Sequence, residues 1–229
     1  MSDNTLIVTP TVNRPYLCKR AGQSLLAQSD PNWTWVIAKN GGSHKLSEYA
    51  EALERLLEDK RVYMLVLPER GLAYALNQAL SRFGHEAPRF ANLEDDDEFH
   101  EHWLKKMKAH MSKTHADVVH CMQRQEPEQL QAHGRPMDQE EILVHNWINW
   151  PMCLIRTSLI HRVGGFTPEA GPAVDWDFHL RAVRGAHATY SFLNERLVTH
   201  HWHENNYCRE AKAPQWLRDK AKAGGYDRS

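Results

Sequence analysis

The 229-residue sequence has no apolar run approaching a membrane span, no cysteines at C-x-x-C spacing and almost no net charge. Each absence removes a class of protein. A helix needs about 20 consecutive apolar residues to cross a bilayer, so no integral membrane segment is expected. The four cysteines, Cys18, Cys121, Cys153 and Cys208, are scattered, which argues against both a zinc ribbon and a disulfide framework. Reduced thiols, with an N-terminus that has neither a basic stretch nor an apolar leader core, make a cytoplasmic setting the expectation. With 28 Lys and Arg against 29 Asp and Glu, the chain has no general attraction for nucleic acid, and that partner is not indicated. Glycine-rich phosphate loops are missing as well. The first strand–turn–helix junction, Thr9-Pro10-Thr11-Val12-Asn13-Arg14-Pro15, carries neither G-x-G-x-x-G nor G-x-x-x-x-G-K-[ST]. That weighs against dinucleotide dehydrogenases and P-loop enzymes.

What is present fits one soluble domain, since 41% hydrophobic and 25% charged residues are ordinary for a globular chain of this length. Leu6-Ile7-Val8 reads as a short buried strand. Asn13 is placed to cap a helix with Pro15 in its first turn, running to about Gln28. Trp33 to Ala38 is the second strand. After Asn40-Gly41-Gly42, Ser43 can cap a helix in which Leu46, Tyr49, Ala50, Leu53, Leu56 and Leu57 recur at helical spacing. Val62 to Leu67 is a third strand, Gly71 to Phe83 a helix, and Arg89 to Leu93 a fourth strand. This alternation specifies an α/β fold with a parallel, doubly wound sheet and right-handed crossovers.

The second half is less regular. Asp117 to Cys121 and Pro151 to Ile155 read as strands, separated by a polar stretch, Gln123 to Glu141, expected as a loop. A helix to about Val163, a helix from Asp175 to Arg184, strands near 188–192 and 196–199, and a basic helix from Ala211 to Ala223 follow.

The most informative segment is Glu94-Asp95-Asp96-Asp97-Glu98, directly behind the fourth strand and ahead of a helix expected from Glu101 to Met111. Carboxylates at the C-terminal end of such a strand face the crevice where open α/β sheets bind ligands. Clustered there, they need a cation to offset them, and a hard divalent ion that also takes phosphate oxygens suits them.

Seven segments in order resemble the family 2 glycosyltransferases, from about Thr5 to about Asn206. They are Thr-Pro-Thr-x-Asn-Arg-Pro from Thr9 with Ser24-Leu25-Leu26-Ala27-Gln28; Pro31-Asn32-Trp33 leading into Val36-Ile37; Arg70-Gly71 through Asn77; the acidic run; Val163-Gly164-Gly165-Phe166; Asp175-Trp176-Asp177-Phe178-His179-Leu180-Arg181; and His201-Trp202-His203-Glu204-Asn205-Asn206. The resemblance implies a GT-A (nucleotide-diphospho-sugar transferase) fold, a mostly parallel doubly wound sheet with helices on both faces. It implies a single domain, with residues 1–100 binding the nucleotide sugar, 101–210 the acceptor, and 211–229 a C-terminal helix and tail.

The resemblance also implies inverting transfer of a sugar from a nucleotide-diphosphate donor, a UDP-sugar by default, to a hydroxyl of a glycan, lipid-linked or other acceptor. A lipid-linked acceptor would be approached peripherally. Mn2+ or Mg2+ would be held by Asp96, with Asp97 or Glu94 assisting and His203 closing on the metal or diphosphate. Glu94 would otherwise meet the ribose. Asp175 stands where the family's base sits. Asp177, two positions on, faces differently and reads as a structural partner for Arg181. Thr9, Pro10, Thr11, Arg14, Asn40, Arg70, Asn77 and Asp95 fall in the segments expected around the nucleotide. Taken alone, Arg14 and Arg70 read as surface charge, and Asp95 and Glu98 as loop charge.

Two departures stand out. Val174 replaces the acid that precedes the base in the family pattern. Lys39 stands where many relatives have an Asp that reads uracil, and an ammonium cannot accept the uracil N–H. Either Asn40 substitutes or the base is not uracil. The rival readings are a nucleotide-sugar binder without turnover and, from His201-x-His203, a metallohydrolase lacking its expected Asp-His. Trp147, Trp150, Trp176 and Trp202 fit either sugar platforms or core.

Overall fold

The computed structural model describes residues 3–126, 134–138, 140–143, 146–201 and 214–222. Strands and helices alternate as the hydrophobic pattern requires: β1 (Thr5–Thr11), α1 (Pro15–Leu26), β2 (Trp33–Asn40), α2 (Leu46–Leu57), β3 (Val62–Leu67), α3 (Leu72–Phe83) and β4 (Arg89–Asn92). Then come β5 (Glu98–Phe99), α4 (Trp103–Thr114), β6 (Val118–Glu126), β7 (Cys153–Arg156), α5 (Thr157–Arg162), α6 (Val174–Leu180), β8 (Tyr190–His201) and α7 (Gln215–Lys222).

All eight strands form one sheet, in the order β3-β2-β1-β4-β7-β6-β8-β5. The half built from β3, β2, β1 and β4 is parallel, as the alternation predicts. Beyond it the sheet is mixed: β7 runs antiparallel to β4 and β6, β8 parallel to β6, and β5 antiparallel to β8. Leu6, Ile7 and Val8 are buried, as are Trp35, Val36, Ile37 and Ala38, because parallel strands covered on both faces carry continuous apolar runs. α1 and α2 pack together over Trp35. Gly22 permits that approach, since a Cβ there would lie 2.5 Å from the Trp35 ring. Cys18, Cys121 and Cys153 are buried and free. Among the described residues no helix is long and apolar enough to cross a membrane.

The structure moves several expected boundaries. Asn13 does not cap α1; Arg14 does, with Pro15 in the first turn. Asn13 adopts the left-handed conformation (φ 55°) that its short polar side chain tolerates. There it accepts from the His44 N–H at 2.9 Å and donates to Ser43 Oγ at 3.2 Å, tying the two junctions together. Ser43 does not cap α2 either. Lys45 is the cap residue, and its N–H is held by Glu48 Oε2 at 2.6 Å, the Glu half of a capping box.

β6 continues to Glu126, into the stretch expected as loop, because β8 pairs with it to His201. β8 is one strand where two were expected. Its register steps from Cys121↔Leu193 to Met122↔Arg196, so Asn194 and Glu195, which look like a turn, are an irregularity within the strand. The helix expected over 175–184 is α6 followed by a π turn at Arg181–Gly185. α7 covers Gln215–Lys222; Pro214 precedes it outside the helix, and the remainder of the expected basic helix lies outside the described residues.

Candidate functional site

The acidic run is strapped between two strands. Leu93 N–H still bonds to Val8 O (3.0 Å), Asp97 N–H turns back to Glu94 O (3.2 Å), and Glu98 then pairs with Thr199 of β8. This fold-back buries Asp95, Asp96 and Asp97 and half-buries Glu94 and Glu98. The expectation that Asp95 and Glu98 are solvated loop charge is therefore wrong. Asp95 accepts from Thr11 Oγ1 at 2.7 Å and Arg14 Nη1 at 3.3 Å, and Glu98 meets His201 Nε2 at 2.6 Å and Arg20 Nε at 3.5 Å. Arg14 is likewise more than surface charge, since its Nη1 also reaches Asp96 Oδ2 at 3.1 Å. Arg20 Nη2 donates to Asp96 O at 2.7 Å.

Glu94, Asp96 and Asp97 each offer an oxygen, and these three atoms lie within 4.8 Å of one another. Asp97 Oδ1 accepts from His200 Nδ1 (2.8 Å) and the His201 N–H (3.3 Å), while Asp97 Oδ2 is buried without a partner among the described residues. A buried carboxylate oxygen left bare is costly, and a hard divalent cation coordinated by carboxylate oxygens would satisfy it. The protonation states agree. Burial, then the charges of Asp97, Asp96, Asp175 and Asp95, pushes Glu94 well above the usual carboxylate range. Burial and Asp96 push Asp95 up to about 6, against the hydrogen bonds and charge of Thr11 and Arg14. Burial raises Asp97 against the pull of His200. The donor set fits the implied metal.

Asp175 opens α6, half-buried, with its Oδ1 accepting from the Trp176 N–H at 2.8 Å. Burial pushes it up to about 6, with an Asn146 side-chain hydrogen bond opposing, and its charge is felt at Glu94. Val174, before it, is core. Asp177 points away and pairs with Arg181 as expected, Nε to Oδ2 at 2.8 Å.

Other expected site residues are placed as walls. Thr9 Oγ1 accepts from Trp35 Nε1 at 2.8 Å, deep in the sheet, and Pro10 is half-buried beside it. Asn77 spends its amide on Phe166, donating to its O at 2.7 Å and accepting from its N–H at 3.0 Å. That clamp joins α3 to the Gly164-Gly165-Phe166 turn, so the structure brings Asn77 to a fold contact and not to the acids. Asn40 Oδ1 accepts from the Gly71 N–H at 2.9 Å, and Arg70 is exposed. His203 and Trp202 lie outside the described residues. Trp150 and Trp176 are core, and Trp176 Nε1 donates to Ile142 O at 2.6 Å.

Tyr49, Arg20 and Asn146 were missed. In the sequence Tyr49 shows only helical apolar spacing, yet its hydroxyl lies 3.3 Å from Thr11 Oγ1 and accepts from the Arg14 N–H at 3.2 Å. No sequence signal marks Arg20 or Asn146.

The model of the family described as Glycosyl transferase family 2 matches residues 6–157. No curated protein matches the sequence. Among solved structures, S. aureus TarS 1-349 in complex with UDP-GlcNAc has a TM-score of 0.72 at 18% identity over 92% of this chain and 62% of that one. The mannosyltransferase PcManGT from Pyrobaculum calidifontis, in complex with GDP-Man and Mn2+, has a TM-score of 0.67 at 16% identity over 96% of this chain and 73% of that one. The chain spans 42% of the longer S. aureus TarS structure, at 17% identity, 96% of this chain and a TM-score of 0.67. At these identities the likeness is one of fold.

Proposed function

The chain belongs to glycosyl transferase family 2, and from that premise we propose that it moves a sugar from a nucleotide-diphosphate donor to an acceptor hydroxyl, with inversion. The observation that carries this reading is the group of three carboxylate oxygens within 4.8 Å, one Asp97 oxygen left bare, with Asp175 close enough to raise Glu94. Asp96, Asp97 and Glu94 would hold Mn2+ or Mg2+, with His203 closing the set. Bound there, the ion would offset the charge that develops on the departing diphosphate. The neighbours solved with UDP-GlcNAc, and with GDP-Man and Mn2+, support a sugar nucleotide and a divalent ion here too.

The chain's own residues divide the remaining work. Asp175 takes the proton from the acceptor hydroxyl. A carboxyl raised to about 6 is still ionised at neutral pH, yet is a stronger base than an ordinary Asp. Thr11 and Arg14 hold Asp95 in place as the floor of the donor site. His200 fixes Asp97 through Oδ1 and leaves Oδ2 free to bind. Arg70, exposed at the mouth, is free to meet the donor's phosphates. A cytoplasmic setting with peripheral approach to a lipid-linked acceptor belongs to the same proposal.

Release of free nucleotide from a sugar donor, dependent on Mn2+ and abolished by Asp96→Ala with the melting point retained, is the expected result. Mn2+-dependent nucleotide binding without release, with or without an acceptor, would favour the binder, a reading drawn from Val174 and Lys39. No melting shift with any nucleotide diphosphate and Mn2+ would refute both.

A further inference from the structure

We propose that Lys39 and Asn40 make the donor subsite select a base with adjacent hydrogen-bond acceptors, guanine or cytosine, over uracil. The proposal rests on the sugar-nucleotide reading above and names the donor class that reading leaves open. Lys39 stands next to last in β2, in register with Thr11 at the end of β1. Both lie at the C-terminal edge of the parallel half of the sheet, where open α/β folds take their ligands. Lys39 is 7% exposed, yet no carboxylate among the described residues pairs with it. Its Nζ donates to Gly41 O at 3.0 Å and sits 5.9 Å from the centre of the Tyr49 ring. An ammonium has three donors and no acceptor. Two protons are left over in a buried corner, and burial makes an unmet donor costly.

Asn40, beside Lys39, has its amide oxygen engaged. It is buried, and its Oδ1 already accepts the Gly71 N–H, a bond that fixes the entry into α3. Its Nδ2 has no partner among the described residues, so what it has to offer a ligand is a donor. Nearby, both oxygens of Asp95 already accept, from Thr11 and Arg14. The groups this corner leaves open beside Lys39 are thus donors, the Lys39 ammonium and the Asn40 amide N–H. Uracil's acceptors O2 and O4 are separated by N3–H, so it cannot set two adjacent acceptors against these donors. Guanine brings O6 and N7 side by side, and cytosine O2 and N3, all acceptors. Two adjacent acceptors can meet both donors, whereas an edge with an N–H between its acceptors leaves one buried group unmet.

Thermal unfolding of the full chain with Mn2+ and GDP, CDP or UDP reads relative affinity from the rise in melting point. The expected result is tighter binding of GDP or CDP than of UDP, by about tenfold or more, with the two arms telling guanine from cytosine. Lys39→Asp supplies an acceptor and should move the preference towards UDP. Lys39→Met removes the donors without adding an acceptor and should flatten it, and its ligand-free melting point controls for folding. Equal or tighter binding of UDP by the parent would overturn base selection while leaving the sugar-nucleotide reading intact. An unchanged preference in both variants would overturn the role of Lys39. No shift with any of the three nucleotides would overturn both readings together.

Discussion

Asp177→Ala should destabilise this protein substantially, although the residue is not one of the carboxylates proposed to hold a metal. Asp177 is buried, and its Oδ2 meets Arg181 Nε at 2.8 Å and Nη2 at 2.7 Å. Arg181 Nη1 reaches on to Val163 O at 2.6 Å and Gly165 O at 2.9 Å, so one guanidinium ties α6 to the turn after α5. Removing one member of a buried ion pair costs about 3–5 kcal/mol, because the other is left as a buried charge. Arg181 keeps two carbonyls and is 19% exposed, so the lower end, about 3 kcal/mol, is expected. In a domain of this size each kcal/mol lowers the melting point by roughly 2–4 °C, which gives a fall of roughly 6–12 °C. Calorimetry or circular dichroism on Asp177→Ala, Arg181→Met and the double variant Asp177→Leu/Arg181→Met tests this. The double variant should lose less than the sum of the single losses, since it buries no lone charge. A loss under about 1 kcal/mol for Asp177→Ala, or strict additivity around the cycle, would refute the reasoning.

Asp175→Asn should cut transfer by about 100-fold or more while leaving nucleotide binding in place. In the parent the rate should rise with pH to a plateau above about pH 6, as Asp175 ionises. The same substitution should stabilise the protein at pH 7.5. The folded carboxyl titrates above its ordinary 3.8, so the fold holds the extra proton between about 4 and 6 and loses stability as pH rises through that window. About 2 pKa units is worth at most about 3 kcal/mol, readable as a higher melting point at pH 7.5 than the parent's. Gly165→Ala should cost about 2–3 kcal/mol in urea unfolding, from φ +82° and a Cβ 2.9 Å from Asn77 Oδ1. Gly164→Ala, at φ +80° but facing open space, should cost only the backbone part, about 1–2 kcal/mol. His200→Ala should weaken Mn2+ binding by about 10–100-fold in a direct titration, because Asp97 loses the ring that orients it. An unchanged affinity would remove His200 from the site.

Local patterning made the parallel half of the sheet legible, because continuous apolar runs and helical spacing are set within single segments. β1 to β4 come out in sequence order with boundaries close to those read from the chain. The mixed half was not legible in the same way. β5 is two residues long and exists because β8 pairs with it, and β8 absorbs Asn194 and Glu195 only because β6 lies alongside. The acids announced themselves by composition, and Asp177 by its spacing to Arg181. The grip of Thr11 and Arg14 on Asp95, and of Asn77 on Phe166, spans 81 to 89 residues of chain, and no local pattern encodes such contacts. Asn40 shows the limit most clearly. Its amide reads from the sequence as a stand-in for the missing acid, and only the structure reveals the Gly71 N–H seated on its oxygen.

The bond between His200 and Asp97 joins residues 103 positions apart, and this separation has a consequence in the order of synthesis. At about 5–20 residues per second, the acids leave the ribosome roughly 5–20 s before the histidine that orients them. During that interval β5 has no partner strand, and the carboxylates remain in water, where their mutual repulsion is screened. The centre can therefore be assembled only after β8 has been made, so a chain cut short before β8 would carry the acids without the geometry that His200 and β8 impose.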